Sequence, residues 1–345
     1  MPSSIFIEDF EPRSELVLPE HPVAHAKFPV IDAHNHLSSF GEGGPLVRPA
    51  DEMVREMDCL NIRAIADLNG STGDELKHRL ERLDLAYPGR FYTLCNVDWR
   101  GVGTPEFTAR AVAALEADIR AGARGLKVFK RLGLNVRDQH GKLVLPDDPR
   151  IADIWDQAGA LGVPVLIHTA DPTAFFKPLD RFNERWDELH AHPDWHFYGP
   201  EFPSFEELIT SLYRLIEAHP NTTFITAHVG CYAENLGFVS AMLDRYPNMY
   251  TDFSERLGEI GRQPYTAREW FIKYSDRILF GTDVTPAMDW YQTYFRCLES
   301  RDEYFAYGPG GGVPRQGRWR IYGLYLPDDV LRKVYYDNAA RLYRA

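Results

Sequence analysis

Short apolar runs rich in β-branched residues recur along the chain, each set off by polar or glycine-containing stretches. Eight of them read as strands: Val30 to His34, Ile62 to Leu68, Arg90 to Val97, Gly125 to Phe129, Val163 to His168, Thr222 to His228, Asn248 to Asp252 and Arg277 to Phe280. Between them the apolar period lengthens to three and four. Ala50 to Leu60 places Met53, Met57 and Leu60 on one helical face, and Phe107 to Ala121 does the same with Val112, Leu115 and Ile119. Phe205 to Ala218 carries Leu208, Leu212, Leu215 and Ile216, and helices are also expected over Asn235 to Tyr246 and Asp328 to Tyr343.

Several strands are almost continuously apolar, as strands of a parallel sheet covered on both faces should be. Eight strands alternating with helices over this length predict a (β/α)8 TIM barrel rather than an open doubly wound sheet. Neither G-x-G-x-x-G nor G-x-x-x-x-G-K-[ST] occurs, so the phosphate loops of the open fold are missing. Gly308 to Gly312 follows no strand and reads as a flexible loop.

Residues 1–28, with Pro12, Pro19 and Pro22 and no helical period, are expected to form an extended N-terminal arm packed on the barrel or on a neighbour. The barrel domain is then 29–345. Long loops are expected after strands five (Ala170 to Pro203) and eight (Asp283 to Pro327), where they would cover the barrel mouth.

Composition narrows the function. The chain has 38 Lys+Arg against 50 Asp+Glu, a formal charge of −12, with 44% hydrophobic residues. That is a globular, acidic protein, so neither nucleic acid nor an anionic membrane is an expected partner. No run approaches eighteen apolar residues, and the N-terminus has neither a basic start nor a signal-like apolar stretch. Cys59, Cys95, Cys231 and Cys297 are far apart and read as buried free thiols. A cytoplasmic location and a small-molecule substrate are expected, with a homodimer left open.

The informative polar residues stand at strand ends. His34 and His36, two apart, project from one face at the end of the first strand. His168 ends the fifth, His228 the sixth, and Asp283 follows the eighth. Imidazole and carboxylate are ligands that borderline divalent metals prefer, and the carboxyl ends of barrel strands converge on one mouth. A His-x-His pair alone says little, since His190-Ala191-His192 is a second. The location of the set carries the argument.

These motifs, Asp32-Ala33-His34-Asn35-His36, His168, Ala227-His228-Val229-Gly230 and Phe280-Gly281-Thr282-Asp283, resemble the amidohydrolase superfamily. The resemblance is to its amidohydrolase-related branch, which includes aminocarboxymuconate-semialdehyde decarboxylase, and it runs from about Val30 to Leu342. It implies that His34, His36, His168 and Asp283 ligate one divalent metal, with Zn2+ expected and Mn2+ the alternative. It implies that His228 is an acid/base or substrate-polarising histidine, and that Asp283 acts as a proton acceptor too. Metal-assisted hydrolysis of a small ester, lactone, amide or C–C bond is the expected reaction, with non-oxidative decarboxylation of an aromatic or enoic acid as the alternative.

Around that set, Asp32 reads either as an orienter of an imidazole or as an anchor below the site. Alternation in Gly125 to Lys130 points Lys127 into the barrel, where a substrate contact, a bridging carbamate and a structural ion pair are all open. Arg131 and Arg256 are candidate clamps for an anionic substrate. His196 is a candidate substrate contact in an aromatic lid with Trp186, Trp195, Phe197 and Tyr198. Cys231, with no third residue to activate it, reads as a packed thiol.

Overall fold

A computed structural model of the chain describes residues 5–38, 43–284, 286–307, 314 and 316–344. The strands among them are β1 (Val30–Asn35), β2 (Ile62–Asp67), β3 (Phe91–Thr93), β4 (Cys95–Asn96), β5 (Leu126–Val128), β6 (Val165–Ile167), β7 (Phe224–Thr226), β8 (Met249–Asp252) and β9 (Ile278–Leu279). Every pairing between them is parallel. The expected single strand from Arg90 to Val97 is two, because its pairing changes sides at Leu94. The Leu94 N–H donates to the Asp67 carbonyl at 2.9 Å, towards β2, whereas Cys95 N–H donates to Gly125 at 2.9 Å, towards β5.

Closure is made past the end of β9. Ala33 N–H donates to the Phe280 carbonyl at 2.8 Å, and the His34 carbonyl accepts from Asp283 N–H at 2.7 Å. With β3 and β4 counted as one position, eight positions close into a (β/α)8 barrel. Strand side chains alternate accordingly. Ile31, Ala33, Ala64, Ala66, Leu166, Ile225 and Leu279 fill the interior, while Val30, Ile62, Ile65, Val165, Phe224, Met249 and Ile278 belong to the shell beneath the helices.

The helices expected from their periodicity are present. Ala50–Leu60 buries Met53, Met57 and Leu60, and Phe205–Ala218 opens with a capping box between Ser204 and Glu207. Two expectations need correction. The segment after β9 is not simply a loop, since it contains the helix Met288–Glu299, which buries Trp290, Tyr291, Tyr294, Phe295, Cys297 and Leu298. Cys59 is exposed, because Met57 and Leu60 take the inward face of its helix, whereas Cys95, Cys231 and Cys297 are buried free thiols.

Ile5, Phe6, Phe10, Leu16 and Val17 of the arm are exposed, so this stretch lies over the surface with little apolar cover. It is tied down by Arg318, which donates to the Phe10 carbonyl, and at His21, whose backbone N–H and Nδ1 meet the Asp302 carboxylate at 2.7 and 2.6 Å. The expected Gly308 to Gly312 loop lies outside the described residues. Among those described, no helix is long and apolar enough to cross a membrane.

Candidate active site

The side chains singled out at strand ends meet at the carboxyl end of the barrel. His34 Nε2 and His36 Nε2 lie 3.2 and 3.0 Å from Asp283 Oδ1. On the other side, His228 Nε2 lies 3.5 Å from Asp283 Oδ2. His168 joins through His228, its Nδ1 standing 3.3 Å from His228 Nε2. Ligand atoms of His34, His36 and Asp283 fall within 4.8 Å of one another, a group that does not include His168.

Backbone conformation sets these side chains. His228 and Asp283 have φ of 60° and 58°, and Val229 follows His228 at 59°. Left-handed backbone is costly for such residues, especially β-branched Val229, and persists where the surroundings impose it, often at functional sites. Asp283 is imposed by its N–H on the His34 carbonyl, and His228 by its N–H on Asp252 Oδ1 at 3.0 Å.

Each imidazole has an oxygen beside the nitrogen turned away from the cluster. His34 Nδ1 is 2.8 Å from Asp252 Oδ2, His36 Nδ1 is 3.3 Å from Asn69 Oδ1, and His168 Nε2 is 3.3 Å from Asp171 Oδ1. For His34 and His36 these contacts place the proton on the outer nitrogen and leave the inner lone pair facing the cluster, whereas His168 Nε2 makes no aligned hydrogen bond among the described residues. The Asp283 Oδ1 atom is buried and accepts no aligned hydrogen bond. His34, His36 and Asp283 thus present donor atoms to one region, with His168 next to them across His228, and this donor chemistry fits a divalent cation.

Electrostatics follow from burial and neighbours. Burial drives the His228 pKa well below the usual imidazole range, with the His168 and Arg256 charges pushing the same way. Burial likewise lowers His168 to about 4. Burial alone would raise Asp283, but His34, His36 and His228 hold it well below the usual carboxylate range. Lys127 points into the barrel, with Nζ 3.5 Å from His34 Nε2, and burial brings it down to about 8.

Of the other candidates, Arg256 is near the cluster. It is buried just past β8, donates to the Glu255 carbonyl at 2.8 Å, and its charge is felt at His228. Arg131 is exposed in the turn after β5. His196 is not brought to the cluster: its Nε2–H donates to the Lys177 carbonyl at 2.8 Å. The aromatic loop does stack as expected, His190 on Trp186 and His192 on Trp195 at 4.5 and 4.1 Å. Asp32 is an anchor. It accepts from Thr282 Oγ1 and Tyr291 OH, both at 2.7 Å, and from the His34 and Thr282 N–H groups, tying β1 to the turn that holds Asp283.

Sequence reasoning missed Asp252, which touches His34 Nδ1, His228 N–H and Ser254, and Asp171, which lies beside His168 and Lys130. A carboxylate closing the strand Met249–Asp252 at the same end as the histidines was the available signal for the first.

The sequence profile of the amidohydrolase family matches residues 31–345. Comparison with curated protein sequences finds no match. Among solved structures, similarity extends to a dihydroxybenzoic acid decarboxylase from Polaromonas sp. JS666 with bound manganese and the inhibitor 2-nitroresorcinol. The TM-score is 0.59 at 16% identity, covering 92% of this chain and 97% of that one. A 2,6-dihydroxybenzoate decarboxylase complexed with 2,6-dihydroxybenzoate gives 0.58 at 18% identity, over 92% and 100%. A probable 2-pyrone-4,6-dicarboxylic acid hydrolase from Acinetobacter baumannii gives 0.51 at 10% identity, over 92% and 100%.

Proposed function

Because this chain belongs to the amidohydrolase family, we propose that it is a metal-dependent hydrolase of a small organic ester, lactone, amide or C–C bond. The observation that carries the proposal is the convergence of the Asp283 carboxylate on the Nε2 atoms of His34, His36 and His228 at the barrel mouth. His34, His36, His168 and Asp283 would hold the ion, zinc in the first instance and manganese in the second. A divalent ion bound there supplies Lewis acidity, polarising a carbonyl and making water more acidic.

The chain's own groups supply proton transfer. Nδ1 of His228 donates to the Ser254 carbonyl at 2.9 Å, which leaves Nε2 unprotonated and aimed at Asp283. Asp283, held ionised, takes a proton from an attacking water, and His228 Nε2 relays it to the leaving group. Lys127, buried beside His34, presents a cation to a substrate carbonyl or carboxylate.

Non-oxidative decarboxylation is the second reading, supported by the likeness in fold to the dihydroxybenzoate decarboxylases. His228 Nε2 would then take a proton from water or from a substrate hydroxyl and pass it to the ring carbon, and the C–C bond to the carboxylate would break to release CO2. Turnover of phenyl esters, lactones and hydroxybenzoates in H2(18)O separates the two. Label in the product carboxylate is the expected outcome. Stoichiometric CO2 with no solvent oxygen in the organic product would decide for decarboxylation.

A further inference from the structure

Beside the catalytic cluster lies a second group of polar atoms that the proposed chemistry does not use. A side chain at Gly258 would point at three of them: Gln316 Oε1 at 3.0 Å, Trp319 Nε1 at 3.1 Å and Tyr307 OH at 3.2 Å. All three atoms are buried, and none has a hydrogen-bond partner among the described residues. Tyr307 and Gln316 are only 3% and 6% exposed, so solvent does not satisfy them. Buried polar groups are seldom left unpaired, and three aimed at one bare glycine mark a place for a ligand atom.

The group adjoins the active site. Gln316 Nε2 donates to the Glu255 carbonyl at 3.0 Å and to its carboxylate at 2.8 Å. The neighbouring Ser254 carbonyl accepts from His228, and Arg256, next along, acts on His228 electrostatically. Surrounding contacts hold the cradle in place. Arg262 donates to the Gly258 carbonyl at 2.8 Å and lies 4.0 Å over the Trp319 ring, and Arg185, paired with Glu188 and Glu259, lies 5.6 Å over the same ring.

The donor pattern selects the ligand. Trp319 Nε1 can only donate. Gln316 Oε1 can only accept, since its amide nitrogen is committed to Glu255. The Tyr307 hydroxyl can do either, and burial keeps it protonated. A carboxylate or ketone has no hydrogen for Gln316. An ammonium has no lone pair for Trp319. A neutral hydroxyl satisfies all three.

We infer that the cradle over Gly258, formed by Tyr307, Gln316 and Trp319, is a specificity pocket for a neutral alcoholic or phenolic hydroxyl of the substrate. The inference rests on reading this barrel mouth as a substrate site, but not on which reaction takes place there.

It is tested by binding, without turnover, on the metal-loaded Asp283→Asn protein. The probes are 2-, 3- and 4-hydroxybenzoate and 3- and 4-hydroxyphenylacetate, each against benzoate or phenylacetate, read by calorimetry. At least one hydroxylated probe should bind about tenfold more tightly than its parent, as two or three modest hydrogen bonds allow. In Tyr307→Phe and in Trp319→Phe, which keep the ring packing, that ratio should fall to about one to three while parent binding holds. Gly258→Ala, which fills the cradle, should do the same. A ratio near one throughout, or a ratio unchanged in the folded Phe variants, overturns the pocket. So does a hydroxylated complex in which a water occupies the cradle. Loss of 18O incorporation with the binding ratio intact would defeat the hydrolytic reading and leave this pocket standing.

Discussion

Asp252 Oδ2 lies 2.8 Å from His34 Nδ1, with both side chains fully buried. Its other oxygen accepts from His228 N–H at 3.0 Å and from Ser254 Oγ at 2.6 Å. One carboxylate therefore orients the first-strand imidazole and fixes the left-handed turn that carries His228. Burial opposes its charge, but His34, His228 and Ser254 together hold the carboxyl well below its ordinary range. Removing such an outer partner typically weakens metal binding about 10–100-fold. Asp252→Asn should show that loss in a chelator competition titration, with the fold retained by circular dichroism. Unchanged retention would mean that His34 is oriented by other contacts.

Asp283 has two expected duties, ligation and proton transfer, and substitution can part them. In Asp283→Asn the amide oxygen can still ligate weakly, but the base is gone. A placed acid or base is worth about 10²–10⁴-fold in rate, so kcat should drop by that factor while most of the metal stays. His228→Asn should fall by a comparable factor, since Nε2 of His228 faces the same carboxylate. Steady-state rates normalised to metal content check both. Near-normal kcat in Asp283→Asn would remove it from the chemistry.

Far from the mouth, Asp84 accepts from Thr93 N–H at 3.1 Å and from Thr93 Oγ1 at 2.6 Å. Burial raises its pKa from an ordinary 3.8 to about 6. Between those values the folded protein holds a proton that the unfolded chain releases. Stability from this group is therefore full below about 4 and falls as pH rises to about 6. Asp84→Asn should flatten that part of the profile and be more stable at pH 7 by on the order of 2 kcal/mol. Urea midpoints from pH 4 to 7 measure it, and parallel profiles for both proteins would contradict it.

The barrel was readable because its strands are short, apolar and spaced by helices of clear period, and the histidines of the candidate site because they close those strands. What escaped did so for physical reasons. Asp252 is a lone carboxylate whose value lies in what another strand brings to it. Met288–Glu299 hides its apolar face in tyrosines and tryptophan interleaved with polar residues. Arg131 and His196 sit at plausible positions in sequence, but side-chain direction sends one to the surface and the other to the Lys177 carbonyl. The Gly258 cradle joins residues 49 to 61 positions apart in the chain, and no local pattern announces it.

The metal itself is the central claim, and elemental analysis tests it most directly. Wild-type protein dialysed against zinc or manganese and then desalted should retain about one equivalent per chain, the stoichiometry of a single-ion site. The His34→Ala/His36→Ala protein, folded by circular dichroism, should retain close to none. Full occupancy in the double variant, or a wild-type protein that holds no ion, would contradict the account.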